Sequence, residues 1–239
     1  MREDKDLEFL GKCSDEELDV LVQLLTKDKN GKDRVTETLT VKEGYKKYYP
    51  KHSKYWKEIA GEIQEFGGNS FVNIFRGGGV KYREILTDVC DKMGVKYNNN
   101  ASTEHIEQTM LMSILEDSLE KLSEEEKKEI LKELDIKTTN FTSEAIMASI
   151  QTLIRTNGVL YYKLALILAN AVAKSIIGKG LSVAGNQIML RSISIFAGPI
   201  GWVLTGLWTA IDIAGPAYRV TIPIAVEIAF LRIKKNQNM

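Results

Sequence analysis

Charge stops abruptly two fifths of the way before the end of this chain. Residues 1–137 carry 52 charged side chains, whereas residues 138–239 carry twelve, nine basic and only three acidic: Glu144, Asp212 and Glu227. The N-terminal part therefore has a net charge of −6 and the C-terminal part of +6. Such a step is expected where a hydrated region meets one that is buried, self-assembling or membrane-facing. The organisation read from it is an acidic soluble helical region, 1–137, followed by a hydrophobic, Gly/Ala-rich helical region, 138–239.

The two parts cancel to a neutral chain, so no global positive field marks it as a nucleic-acid binder. With 44% hydrophobic residues it can bury a core, which excludes a disordered tail or a disulfide-held mini-protein. Cys13 and Cys90 are the only cysteines and are read as buried thiols. The charged start, Met1 to Glu8, lacks a secretory apolar run, and a cytoplasmic location is expected.

Helical periodicity and caps recur along the chain. Ser14 with Glu17, and Ser123 with Glu126, form capping boxes ahead of helices expected over 15–26 and up to about 134. Further helices are expected over 54–66, 80–93, 104–122 and 143–155, and no convincing strand is present. The fold class is therefore all-α. The capped helices of 1–137 carry their own apolar stripes, so this part is expected to stay helical without residues 159–239.

Beyond Gly158 four weakly charged helices are expected, at about 160–177, 181–197, 199–214 and 216–232, separated by glycine and proline. Positions 192–211 hold no charge, which meets the length criterion for a membrane span. Their eight strongly apolar side chains supply about −2.4 to −4.8 kcal/mol, much of which the Gly, Pro, Ser and Thr residues offset. The piece after Pro199 reaches only about 24 Å, short of a ~30 Å hydrocarbon core. Small residues at every fourth position, Ala197/Gly201/Thr205 and Gly206/Ala210/Ala214, offer flat stripes for close helix packing. A soluble bundle and a bilayer hairpin both satisfy this pattern. The cations Lys174, Lys179, Arg191, Arg219, Arg232, Lys234 and Lys235 flank the apolar stretches where headgroups would sit, which favours the bilayer. Asp212 is expected to form a buried ion pair with Arg219.

Recognisable catalytic motifs are missing from the sequence, and His52 and His105 lack partners at metal-ligand spacing, so neither a metal nor a cofactor is expected. Arg76 with Gly77, Gly78 and Gly79 is read first as a tight helix–helix connection and second as an anion or headgroup contact. Lys46, Lys47, Tyr48, Tyr49, Lys51, Tyr55 and Trp56 form a basic–aromatic patch. It is read as an intramolecular electrostatic seam, with a protein or lipid partner as the alternative and nucleic acid last.

Three stretches carry a family resemblance: Phe71-Val-Asn-Ile-Phe-Arg-Gly-Gly-Gly-Val-Lys-Tyr-Arg-Glu-Ile-Leu-Thr-Asp-Val-Cys-Asp-Lys-Met-Gly94, Phe196-Ala-Gly-Pro-Ile-Gly-Trp-Val-Leu-Thr-Gly-Leu-Trp208 and Asp212-Ile-Ala-Gly-Pro-Ala-Tyr-Arg-Val-Thr-Ile-Pro223. They resemble the YaaW family of uncharacterised bacterial proteins over nearly the whole chain. That family is remotely similar to the ubiquinol-cytochrome c reductase assembly chaperones, which implies a helical binding protein without catalytic residues. The expected function is thus non-enzymatic: C-terminal helices that engage membrane lipid at the cytoplasmic face of the inner membrane, or that self-assemble into a homo-oligomer. A soluble chaperone-like module for a hydrophobic protein client is the alternative, and an enzyme with a site near Arg76–Gly79 comes third.

Overall fold

The helix starts form where the sequence places oxygen acceptors against free amides. The computed structural model describes residues 2–28, 31–34, 37–68, 79–177, 195, 198–199 and 218–237. In α1 (Asp15–Thr26) the Ser14 hydroxyl accepts from the Glu17 amide and the Glu17 carboxylate accepts from the Ser14 amide, closing the expected capping box. Ser102 caps α5 (Thr103–Leu119), Ser123 with Glu126 caps α6 (Glu124–Glu133), and Thr142 caps α7 (Ser143–Ile154). The N-terminus of α4 (Tyr82–Met93) lacks a local side-chain cap; the Tyr82 amide instead donates to the Asp4 carboxylate at 2.7 Å, across 78 residues. Gly94 ends α4 in the left-handed region, φ 72°, where its missing Cβ removes the steric cost.

The remaining helices are α2 (Glu43–Tyr48), α3 (Trp56–Gly68), α8 (Gly158–Ile177) and α9 (Tyr218–Asn236), with 3-10 turns at Glu8–Lys12, Leu39–Val41 and His52–Tyr55. Among the described residues there is no strand, only an isolated bridge between Lys27 and Asp33, so the class is all-α as expected.

Helix α9 is the axis of the bundle. Every residue from Val220 to Ile233 is buried, so the helix has no solvent face, and α1, α3, α4, α5 and α8 all pack against it. Two neighbours run antiparallel to it. Tyr162 stacks at 5.9 Å on Phe230 and Gly158 accepts from Gln237, which orients α8; Tyr82 near Arg232 and Lys92 over Tyr218 orient α4 in the same way. A single core results, joining Leu21 of α1, Ile59 of α3, Leu111 of α5, Leu168 of α8 and Ile228 of α9.

This packing bears on two expectations. The charge step near residue 137 is no boundary in the core: described helices from both sides of it meet in one cluster. Nor do the C-terminal cations all wait for headgroups, since Lys234 and Lys235 both bind Glu17 of α1 at 2.8 Å and Arg232 binds Glu107 of α5. Helix α8 is long and apolar enough to cross a bilayer, yet 72% of its most apolar window is buried, as befits a core helix.

Candidate functional site

The basic–aromatic segment folds over the outer side of α1. Asp15 accepts from the Ser53 amide at 2.7 Å, a bond that holds its carboxyl below the usual range, and Asp19 lies 3.1 Å from His52 Nε2. His52 is buried, with Nδ1 facing the Tyr55 hydroxyl. Tyr45 packs at 5.0 Å on Tyr49 and at 5.6 Å, edge-on, on Tyr55. Within this segment Lys42 makes ion pairs: its ammonium lies 3.3 Å from buried Glu62 and 3.2 Å from Glu65. Glu58 is also consumed, accepting from the Gly44 and Tyr45 amides at 2.9 and 3.0 Å.

The seven patch residues therefore separate into two sets. Tyr55 is buried and Trp56 is half-buried, its indole so close to Gly11 that a Cβ there would lie 2.8 Å from Cε2. Lys46, Lys47 and Lys51 are exposed, Tyr49 is 56% exposed, and Tyr48 lies beneath the Lys47 ammonium at 5.1 Å.

A second polar assembly surrounds the C-terminal half of α9. Arg232 Nε donates to Glu107 at 2.8 Å, while Nη2 donates to Glu107 at 3.2 Å and to the Asp6 carbonyl at 2.7 Å. The guanidinium also lies 4.5 Å from the Phe9 ring centre. Both charged partners are buried. Beside the pair opens a polar cavity of about 310 Å³ lined by Ser102, His105, Tyr161 and Gln237 as well as Glu107 and Arg232. Sequence reasoning missed this assembly, although a signal was present: Glu107 heads the apolar series Met110, Leu111 and Ile114 at helical spacing.

Several groups are tuned by burial. Both thiols, Cys13 and Cys90, are pushed up to about 12, which removes the thiolate that nucleophilic or metal chemistry needs. Among the described residues no three His, Cys, Asp or Glu side chains gather where they could hold a metal ion. Glu227, enclosed in α9, is raised from 4.5 to about 8 by burial, partly opposed by Lys234 and reinforced by Glu17. Between those two values the folded chain keeps a proton that the unfolded chain has lost, so stability falls as pH rises from about 4.5 to 8. Glu227→Gln should flatten that decline, which for one proton reaches about 1.4 kcal/mol per pH unit; thermal melts of both proteins across the window measure the difference.

Of the glycine-loop residues, Arg76, Gly77 and Gly78 lie outside the described residues. Gly79 passes so close to α3 that a Cβ would lie 2.7 Å from the Gln64 Cβ and 2.8 Å from its carbonyl carbon, and this close approach is a packing reason for glycine. Ala197, Gly201, Thr205, Gly206, Ala210, Ala214 and Asp212 also lie outside the described residues; Arg219 is half-buried in the first turn of α9.

Comparison with known proteins places this bundle in a class. Residues 51–226 match the Ubiquinol-cytochrome C chaperone family, and residues 1–35 match a separate domain of unknown function, DUF3944. A UPF0174 protein of Helicobacter pylori strain J99 is 50% identical over 235 residues, covering 98% of this chain and 93% of the relative. The UPF0174 protein YaaW of Escherichia coli strain K12 is 37% identical over 235 residues, covering 96% of this chain and 94% of the relative. The chain belongs to the UPF0174 (YaaW) family. No solved structure matches it.

Proposed function

We propose that this chain is a non-enzymatic helical binding protein that presents one apolar stretch, 192–211, to a hydrophobic partner, and that the partner is a bilayer at the cytoplasmic face of the inner membrane. The observation that supports this reading is the antiparallel pairing of α8 and α9. It brings Ile177 and Tyr218 to the same end of the pair, so the forty residues between them begin and finish at one end of the bundle. Those forty residues contain three charges, Lys179, Arg191 and Asp212. A stretch rooted this way can meet a bilayer without disturbing the enclosed α9. The small-residue positions Ala197, Gly201, Thr205, Gly206, Ala210 and Ala214 would let its segments pack closely or assemble with copies of the chain, and Asp212 would be neutralised by Arg219.

The family match to chaperones favours a second reading, in which the same stretch receives a hydrophobic protein client. Fractionation decides between them. The full chain should sediment with membranes and resist high-salt and carbonate washes, and Gly201→Leu or Gly206→Leu should weaken that resistance. A full chain that remains in the supernatant at low salt would overturn the bilayer reading.

A further inference from the structure

We infer that the outer face formed by α2 and residues 49–57 docks on an anionic bilayer surface, with Lys46, Lys47, Lys51, Lys54 and Lys57 contacting phospholipid headgroups. The inference rests on the bilayer reading above and adds a second, electrostatic contact to it.

The argument begins with where the neighbouring acids go. Glu58 is occupied by two backbone amides, Glu62 and Glu65 by Lys42 and Thr38, Asp15 by the Ser53 amide and Asp19 by His52. Glu43, the single acid of residues 41–57, is exposed beside the five lysines. All five lysines are exposed, and among the described residues none lies within ion-pair distance of a carboxylate. The fold thus engages the neighbouring acids in bonds of their own, although Glu65 and Asp19 stay partly exposed, and leaves the five cations outward. A cluster of four to eight basic side chains is the composition that anionic leaflets attract.

Apolar groups are exposed in the same stretch of chain. Val41 is 63% exposed and Tyr49 is 56% exposed, which suits contact at headgroup depth. A nucleic acid would require free ring faces for its bases. Most of those faces are taken: Tyr45 packs between Tyr49 and Tyr55, Tyr48 lies under Lys47, and Trp56 is covered by Gly11 and by Lys57 at 5.8 Å, which leaves Tyr49 as the exposed ring. Five cations around a single open ring favour headgroups over a run of stacked bases.

The test is flotation of the full chain with vesicles of phosphatidylcholine, with and without phosphatidylglycerol, over a salt series. Wild type should bind the anionic vesicles more tightly, with the excess lost at high salt. At roughly fivefold per lysine, the combined change Lys46→Gln, Lys47→Gln and Lys51→Gln should remove about a hundredfold of that excess. Unchanged circular dichroism and melting would show that the variant is folded; a variant that melts early is replaced by Lys51→Gln with Lys54→Gln, which touch no described ring. Equal binding to both vesicle types, resistant to salt and to the substitutions, would overturn the electrostatic contact while leaving the bilayer reading intact. Binding to anionic vesicles alone, released by salt, would support the contact and overturn engagement by 192–211. Loss of single-stranded oligonucleotide binding in the variant, with vesicle binding unaffected, would overturn the lipid assignment.

Discussion

Truncation after residue 217 should unfold the bundle rather than trim it. Helix α9 buries Val220, Ile222, Ile224, Val226, Ile228, Phe230, Leu231 and Ile233 against five other helices. At about 1.5–3 kcal/mol per large apolar side chain, these eight contribute roughly 12–24 kcal/mol. That exceeds the roughly 5–15 kcal/mol that holds a typical domain folded. Residues 1–217 should therefore show reduced helical circular dichroism and no cooperative thermal transition. By the same argument residues 1–137 alone should lose cooperative folding, because α1, α3, α4 and α5 all pack on α9. A truncated chain that melts cooperatively within a few degrees of the full chain would show that α9 is an accessory to a core formed elsewhere.

The elements easiest to read from sequence were those whose causes are local. Ser14 with Glu17 and Ser123 with Glu126 contain both halves of each capping bond within four residues, and α1 spans the residues expected. Helix α2 was missed because its six residues carry no side-chain cap and no buried residue. Helix α9 illustrates a deeper limit. Apolarity on every side is the signature of a central core helix and of a membrane helix alike, so its own residues do not say which solvent surrounds it. The cations at its end were ambiguous for the same reason: Glu17 lies at the opposite end of the chain from Lys234 and Lys235, beyond any local pattern. In the patch, composition revealed the cations and rings, whereas the division between structural Tyr55 and outward Lys46, Lys47 and Lys51 depends on acids brought in by α1 and α3.

Arg232→Met should be among the most damaging single substitutions in the described core. The side chain is replaced by one of similar reach, so most packing is retained while Glu107 is left as a buried carboxylate without its cation. Removing one partner of such a pair costs about 3–5 kcal/mol, and the Asp6 carbonyl also loses its donor. Glu107→Gln alone should be damaging too, because Arg232 keeps its charge beside a weaker acceptor. Combining Glu107→Gln with Arg232→Met removes both charges and should recover part of the loss, since well-packed neutral replacements of a buried pair are often tolerated. The pH dependence distinguishes charge from shape: the deficit of Arg232→Met should shrink as pH falls, because an orphaned Glu107 can then take up a proton, whereas a packing defect would persist. Denaturant unfolding of the four proteins at two pH values measures both. A loss below about 1 kcal/mol, the range of exposed pairs, together with additive single effects, would mean that water reaches Glu107 through the adjoining cavity and that the pair does not lock α5 to α9.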